Sequence, residues 1–162
     1  MEETGWKQPG HCCIREDIEM LTEQGILENF GKGFDCSQVV FGECAARLGL
    51  DEALAKKIAA CFGGGMWYGH ECGAVTGALM AVGAKYGHSE PGDADTKNAA
   101  LAKMNEFRAK FLERQPSCVC KEILGYDLSV PEDMQKIQDE GLLTTRCPKV
   151  VRDALEVLEE IL

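Results

Sequence analysis

With 162 residues the chain is long enough to bury a core of its own and fits one domain. Its 45% hydrophobic and 27% charged residues match an ordinary globular chain and exclude a disordered one. A formal net charge of −10 argues against a nucleic-acid backbone or an anionic membrane as partner, because both carry the same sign.

Helix signals run through the whole chain and strand signals are nearly absent. The start, Met1 to Gly10, has no apolar targeting segment. Ile14, Ile18 and Leu21 recur at helical spacing, so the first predicted helix runs from His11 to about Phe30, interrupted near Gly25. Asp35 caps a second, carrying Val39, Val40, Phe41 and Leu48 and stopped at Gly49. Asp51 caps a third, from Glu52 to Phe62, ended by Gly63-Gly64-Gly65.

The fourth, from Cys72 to Tyr86, places Gly73, Gly77 and Ala81 four residues apart along one side, which admits a second backbone at close range. The apolar run within it falls short of the ~20 residues a bilayer span requires, so membrane insertion is not expected. A long polar helix follows, from about Asp95 to Gln115, with Leu101, Met104, Phe107, Phe111 and Leu112 as its buried stripe. Cys120 to Leu124 reads as one turn closed by Gly125; Pro131 begins another helix and Pro148 the last.

The expected fold is therefore all-α: a single-domain bundle of about six to eight helices around a glycine-rich central one. Residues 1–30 form an N-terminal helical extension and residues 31–162 the cysteine-motif helical domain, together one compact unit.

Nine cysteines stand out: Cys12, Cys13, Cys36, Cys44, Cys61, Cys72, Cys118, Cys120 and Cys147. With no targeting segment, the expected compartment is the cytoplasm, where an odd set of thiols reads as metal binding or thiol redox chemistry. Cys36, Cys72, Cys120 and Cys147 each lie at a predicted helix start. Unpaired N–H groups and the helix dipole favour the thiolate there, the form that binds metal or attacks a disulfide.

The other cysteines divide. Cys44 among alanines suits core filling, Cys61 before the glycines is a candidate fifth sulfur, and Cys118 forms Cys-x-Cys with Cys120. Cys12-Cys13 after His11 suits an exposed helix start or an accessory metal site. His70, two residues before Cys72, is a candidate ligand or activating charge. Gly63, Gly64, Gly65, Gly73 and Gly77 would let backbone approach the site, and Trp67-Tyr68 would shield it. No paired zinc knuckles, thioredoxin Cys-x-x-Cys or plant-ferredoxin spacing is present.

Phe34-Asp35-Cys36-Ser37-Gln38, Phe62-Gly63-Gly64-Gly65-Met66 and Cys72-Gly73-Ala74-Val75-Thr76-Gly77 resemble the C_GCAxxG_C_C redox-protein family. Cys120-Lys121-Glu122-Ile123-Leu124-Gly125 and Cys147 are similar to its last two cysteines. The resemblance spans roughly Gly31 to the end. It implies Cys36, Cys72, Cys120 and Cys147 as the characteristic cysteines. It also implies redox activity and, through related domains joined to multihaem cytochromes, an iron–sulfur centre.

Three readings stay open: electron transfer or redox sensing on a Cys-ligated cluster such as [2Fe–2S]; a metal-free thiol–disulfide protein with Cys72 attacking and Cys120 or Cys147 resolving; and a zinc module in which metal only holds helices together. The redox partner, an enzymatic role and homodimer formation are left open.

Overall fold

The computed structural model describes residues 19–162. The first predicted helix therefore lies partly outside the described residues, and His11, Cys12 and Cys13 lie wholly outside. Its described part, α1 (Glu23–Gly31), starts where Thr22 Oγ1 accepts the Gly25 N–H at 3.1 Å. Gly25 thus sits in the first turn and interrupts nothing.

Helix α2 (Cys36–Arg47) is opened by Asp35, whose N–H donates to Gln38 Oε1 at 3.0 Å. Asp51 Oδ1 accepts the Leu54 N–H at 2.6 Å and starts α3 (Glu52–Ala59). It ends three residues before the expected Phe62, whose N–H instead closes a turn on Ala59 O at 3.0 Å.

After a left-handed turn come α4 (Gly73–Tyr86), α5 (Ala94–Arg114) and the single turn α6 (Cys120–Leu124). Then follow α7 (Pro131–Asp139), the four-residue α8 (Leu142–Thr145) and α9 (Cys147–Ile161). Among the described residues the all-α fold holds, with seven full helices, two single turns and no strand. No described helix is long and apolar enough to cross a membrane.

Helix α4 is the hub, packed on α2, α5 and α9. Ala74, Val75, Ala78 and Ala81 are wholly buried. A Cβ on Gly77 would lie 2.7 Å from Ser37 O and 3.1 Å from Val40 Cβ, so glycine sets how closely α4 approaches α2. Ser37 is itself buried, its hydroxyl donating to Ala59 O at 2.8 Å and tying α2 to the end of α3.

In α5, Phe107 and Phe111 stack at 5.7 Å and are wholly buried. The expected stripe is too wide: Leu101 and Leu112 are 42% and 49% exposed, while Phe107 and Phe111 carry the buried side.

Candidate functional site: four thiols around one cavity

Cys36 is the first residue of α2, Cys120 of α6 and Cys147 of α9, and Cys72 caps α4. All four line one cavity of about 410 Å³. Cys72 and Cys120 are nearly buried, at 7% and 6% exposure, whereas Cys36 and Cys147 are half-buried.

Two backbone devices bring these helix starts together. Glu71 and Val119 form an isolated antiparallel bridge, in which Cys72 N–H donates to Cys118 O at 2.7 Å and Cys120 N–H to His70 O at 2.6 Å. The second device is glycine. A Cβ on Gly73 would occupy the place of Cys36 Sγ and come 3.1 Å from Phe62 O, so only glycine lets the Cys36 sulfur reach the start of α4.

The chain between α3 and α4 crosses the site in a left-handed turn. Gly64, Gly65, Met66 and Trp67 have φ of 57°, 62°, 54° and 61°. Glycine tolerates that region, but Met66 and Trp67 do so at a cost of roughly 1–2 kcal/mol each. A Cβ on Gly65 would also collide with the His70 backbone. The triple glycine signals a close approach in the sequence; nothing there signals that the left-handed run continues through Met66 and Trp67.

The thiols are electrically coupled. Cys72 S–H donates to Cys36, and this is the main reason Cys36 is held down at about 7. Burial opposes it, the N–H groups of Gly64 and Ser37 assist, and Asp35 works against it. Cys72, giving its proton to that bond, is pushed up, with burial and the Cys36 and Cys120 charges adding.

The helix-start argument expects Cys72 to be the activated thiol. Instead the thiolate rests on Cys36, because two backbone N–H groups reach Cys36 and only that of Ala74 reaches Cys72. Burial pushes Cys120 to about 12 and Cys147 upward as well, each further opposed by the Cys36 charge.

Cys44, Cys61, Cys118 and His70 stand apart from the cavity wall. Cys61 is exposed, and Cys44 is buried in the core, where desolvation raises it to about 12. Cys118 is half-buried and serves through its carbonyl, as exposed His70 does through its own. Trp67 lines the cavity while remaining 50% exposed, whereas Tyr68 is 65% exposed and does not line it. Among the described residues, no three His, Cys, Asp or Glu side chains gather around one point as a preformed metal site. The four sulfurs border a space instead.

An all-α scaffold that directs four helix-start cysteines into one cavity defines a cysteine-centred protein. Residues 34–161 match the family described as "Putative redox-active protein (C_GCAxxG_C_C)", and the chain belongs to that family. No curated protein and no solved structure matches it.

Proposed function

We propose that the chain is a redox protein that carries electrons on an iron–sulfur cluster, such as [2Fe–2S], held by Cys36, Cys72, Cys120 and Cys147. The observation that carries this reading is that these four thiols, from four separate helix starts, border a single cavity. The donor set fits the group: clusters are held by cysteine thiolates, and their potentials are set by burial and by hydrogen bonds to sulfur.

Here the N–H groups of Gly64 and Ser37 bond Cys36, and that of Ala74 bonds Cys72. The nearly buried Cys72 and Cys120 would keep that side of a cluster from water. When bound, the cluster supplies one-electron exchange; the protein supplies the ligands, the N–H dipoles and the dry wall.

The test is anaerobic purification or reconstitution, followed by visible absorption and iron and sulfide analysis. The expected protein is coloured and bleaches on reduction. Serine at any of the four positions removes the colour, whereas Cys61→Ser keeps it. A colourless product that takes up no iron overturns the reading.

One observation favours a second reading. The Cys36–Cys72 hydrogen bond joins a thiolate and a thiol, the starting arrangement for a disulfide. In that chemistry the sulfurs of Cys36 and Cys72 join and pass two electrons to a disulfide substrate, which leaves as two thiols, one proton coming from the Cys72 S–H and the other from solvent. Metal-free protein that exchanges with glutathione disulfide, and loses this in Cys36→Ser, would support it.

A further inference from the structure

The cavity is larger than its thiols require. At ~30 Å³ per water in the liquid, its volume of about 410 Å³ equals roughly a dozen waters, far more than the few atoms of an iron–sulfide core. Beyond the cysteines, Asp35 and Thr144, its side-chain lining is apolar. Phe30, Phe34 and Trp67 contribute aromatic rings, and Leu128, Met134 and Leu143 contribute aliphatic surface. Water gains little in such a place, where few groups can bond it.

Charge narrows the occupant further. Among the described residues that line the cavity there is no Lys, Arg or His, and apart from the cysteines Asp35 is the one ionisable side chain. An anion would find no cationic side chain in this wall to receive it. The volume and lining match small-molecule pockets, which are mostly apolar with a few polar groups. Trp67 and Leu143 line the cavity while 50% and 37% exposed, so part of its wall stands at the surface.

We propose that this cavity binds one uncharged aromatic ring compound, seated among Phe30, Phe34 and Trp67 and in contact with the cysteine centre. Flat rings pack well against aromatic side chains, and neutrality avoids the cost of bringing charge into an apolar wall. The claim rests on the shape and lining of the cavity, not on which redox chemistry the thiols perform, so the two stand or fall separately.

The test uses the full chain, reduced and metal-free, with two probes of nearly the same ring skeleton. N-phenyl-1-naphthylamine is neutral, and 1-anilinonaphthalene-8-sulfonate carries a negative charge. The neutral probe should show saturable fluorescence enhancement at one site per chain and bind at least about tenfold more tightly than the anionic one. Two substitutions at exposed positions of the wall, Leu143→Trp and Thr144→Trp, add bulk beside the cavity. At unchanged helical circular dichroism, at least one of them should weaken the neutral probe by about tenfold. Absence of saturable binding overturns the proposal. So does equal affinity for the two probes, or binding that neither folded variant alters.

Discussion

At the scale of single residues, one proton shared by two sulfurs decides the reactivity of the metal-free protein. Cys36 is held at about 7 by the Cys72 S–H and by backbone N–H groups. In reduced, metal-free protein at pH 7, alkylation should therefore begin at Cys36. Cys72→Ala should slow it by removing the S–H donor, which peptide mapping of the labelled protein will read directly. First labelling at Cys72 would reverse the assignment.

The same shift has a sign in stability. A thiol whose folded pKa lies below its unfolded value, near 8.5, adds stability that is fully present above that value. This contribution is lost as pH falls through about 7. Cys44, Cys120 and Cys147 are shifted the other way, so their contribution is present below about 8.5 and lost as the unfolded chain ionises above it. Urea midpoints of the metal-free protein should therefore rise from pH 6 to pH 8 and fall by pH 10. The difference in that rise between wild type and Cys36→Ser isolates Cys36.

Sequence alone could not choose between the two sulfurs. Both lie at helix starts, and the deciding N–H of Gly64 comes from a segment far from Cys36 in the chain.

At the scale of elements, the glycines make two different demands. Gly64→Ala and Gly65→Ala would each put a side chain at positive φ, costing about 1 kcal/mol. Gly64→Ala then meets only side chains, Leu128 at 3.2 Å and the Trp67 ring at 3.4 Å, whereas Gly65→Ala drives Cβ into the His70 backbone. Thermal melting should rank Gly65→Ala as clearly the more damaging, and equal losses would mean that φ alone matters. Gly77→Leu should cost about 1–3 kcal/mol by overpacking, because its Cβ would lie 2.7 Å from the carbonyl of Ser37. An unchanged melting temperature there would contradict the close α2–α4 contact.

Most of these elements are legible in the sequence because local signals mark them. Asp51 caps α3, Pro148 opens α9, and the glycine spacing identifies α4 as the closely packed helix. The left-handed turn is not legible, because Met66 and Trp67 take positive φ against the preference of residues with a Cβ. The early end of α3 is equally a tertiary effect, with Ser37 Oγ bonded to Ala59 O where the helix stops.

For the whole molecule, the decisive contact is the short pairing of residues 70–72 with 118–120, which sets the start of α4 beside that of α6. Periodicity reports helices but not which ends meet, so the fold class was readable while the cavity and its apolar walls were not. The four motif cysteines are spread from residue 36 to residue 147, on segments joined by long loops and helices. A group bound to all four would therefore tie together α2, α4, α6 and α9 and be held only by the folded chain. Binding restricted to the folded state raises stability by mass action, by about 2.7 kcal/mol when the free ligand is at a hundred times its dissociation constant. Cross-linking distant segments acts in the same direction by restricting the unfolded chain. Iron and sulfide loading should accordingly raise the melting temperature, and chelation under reducing conditions should return it to the metal-free value. Cys61→Ser should leave this difference intact, because exposed Cys61 lies off the cavity wall. Cys147→Ser should shrink it while leaving the metal-free melt near wild type, since the smaller hydroxyl removes a ligand without enlarging a half-buried side chain. A melting temperature indifferent to loading, in protein shown by analysis to contain iron, would mean that the metal is held somewhere other than across these four helix starts.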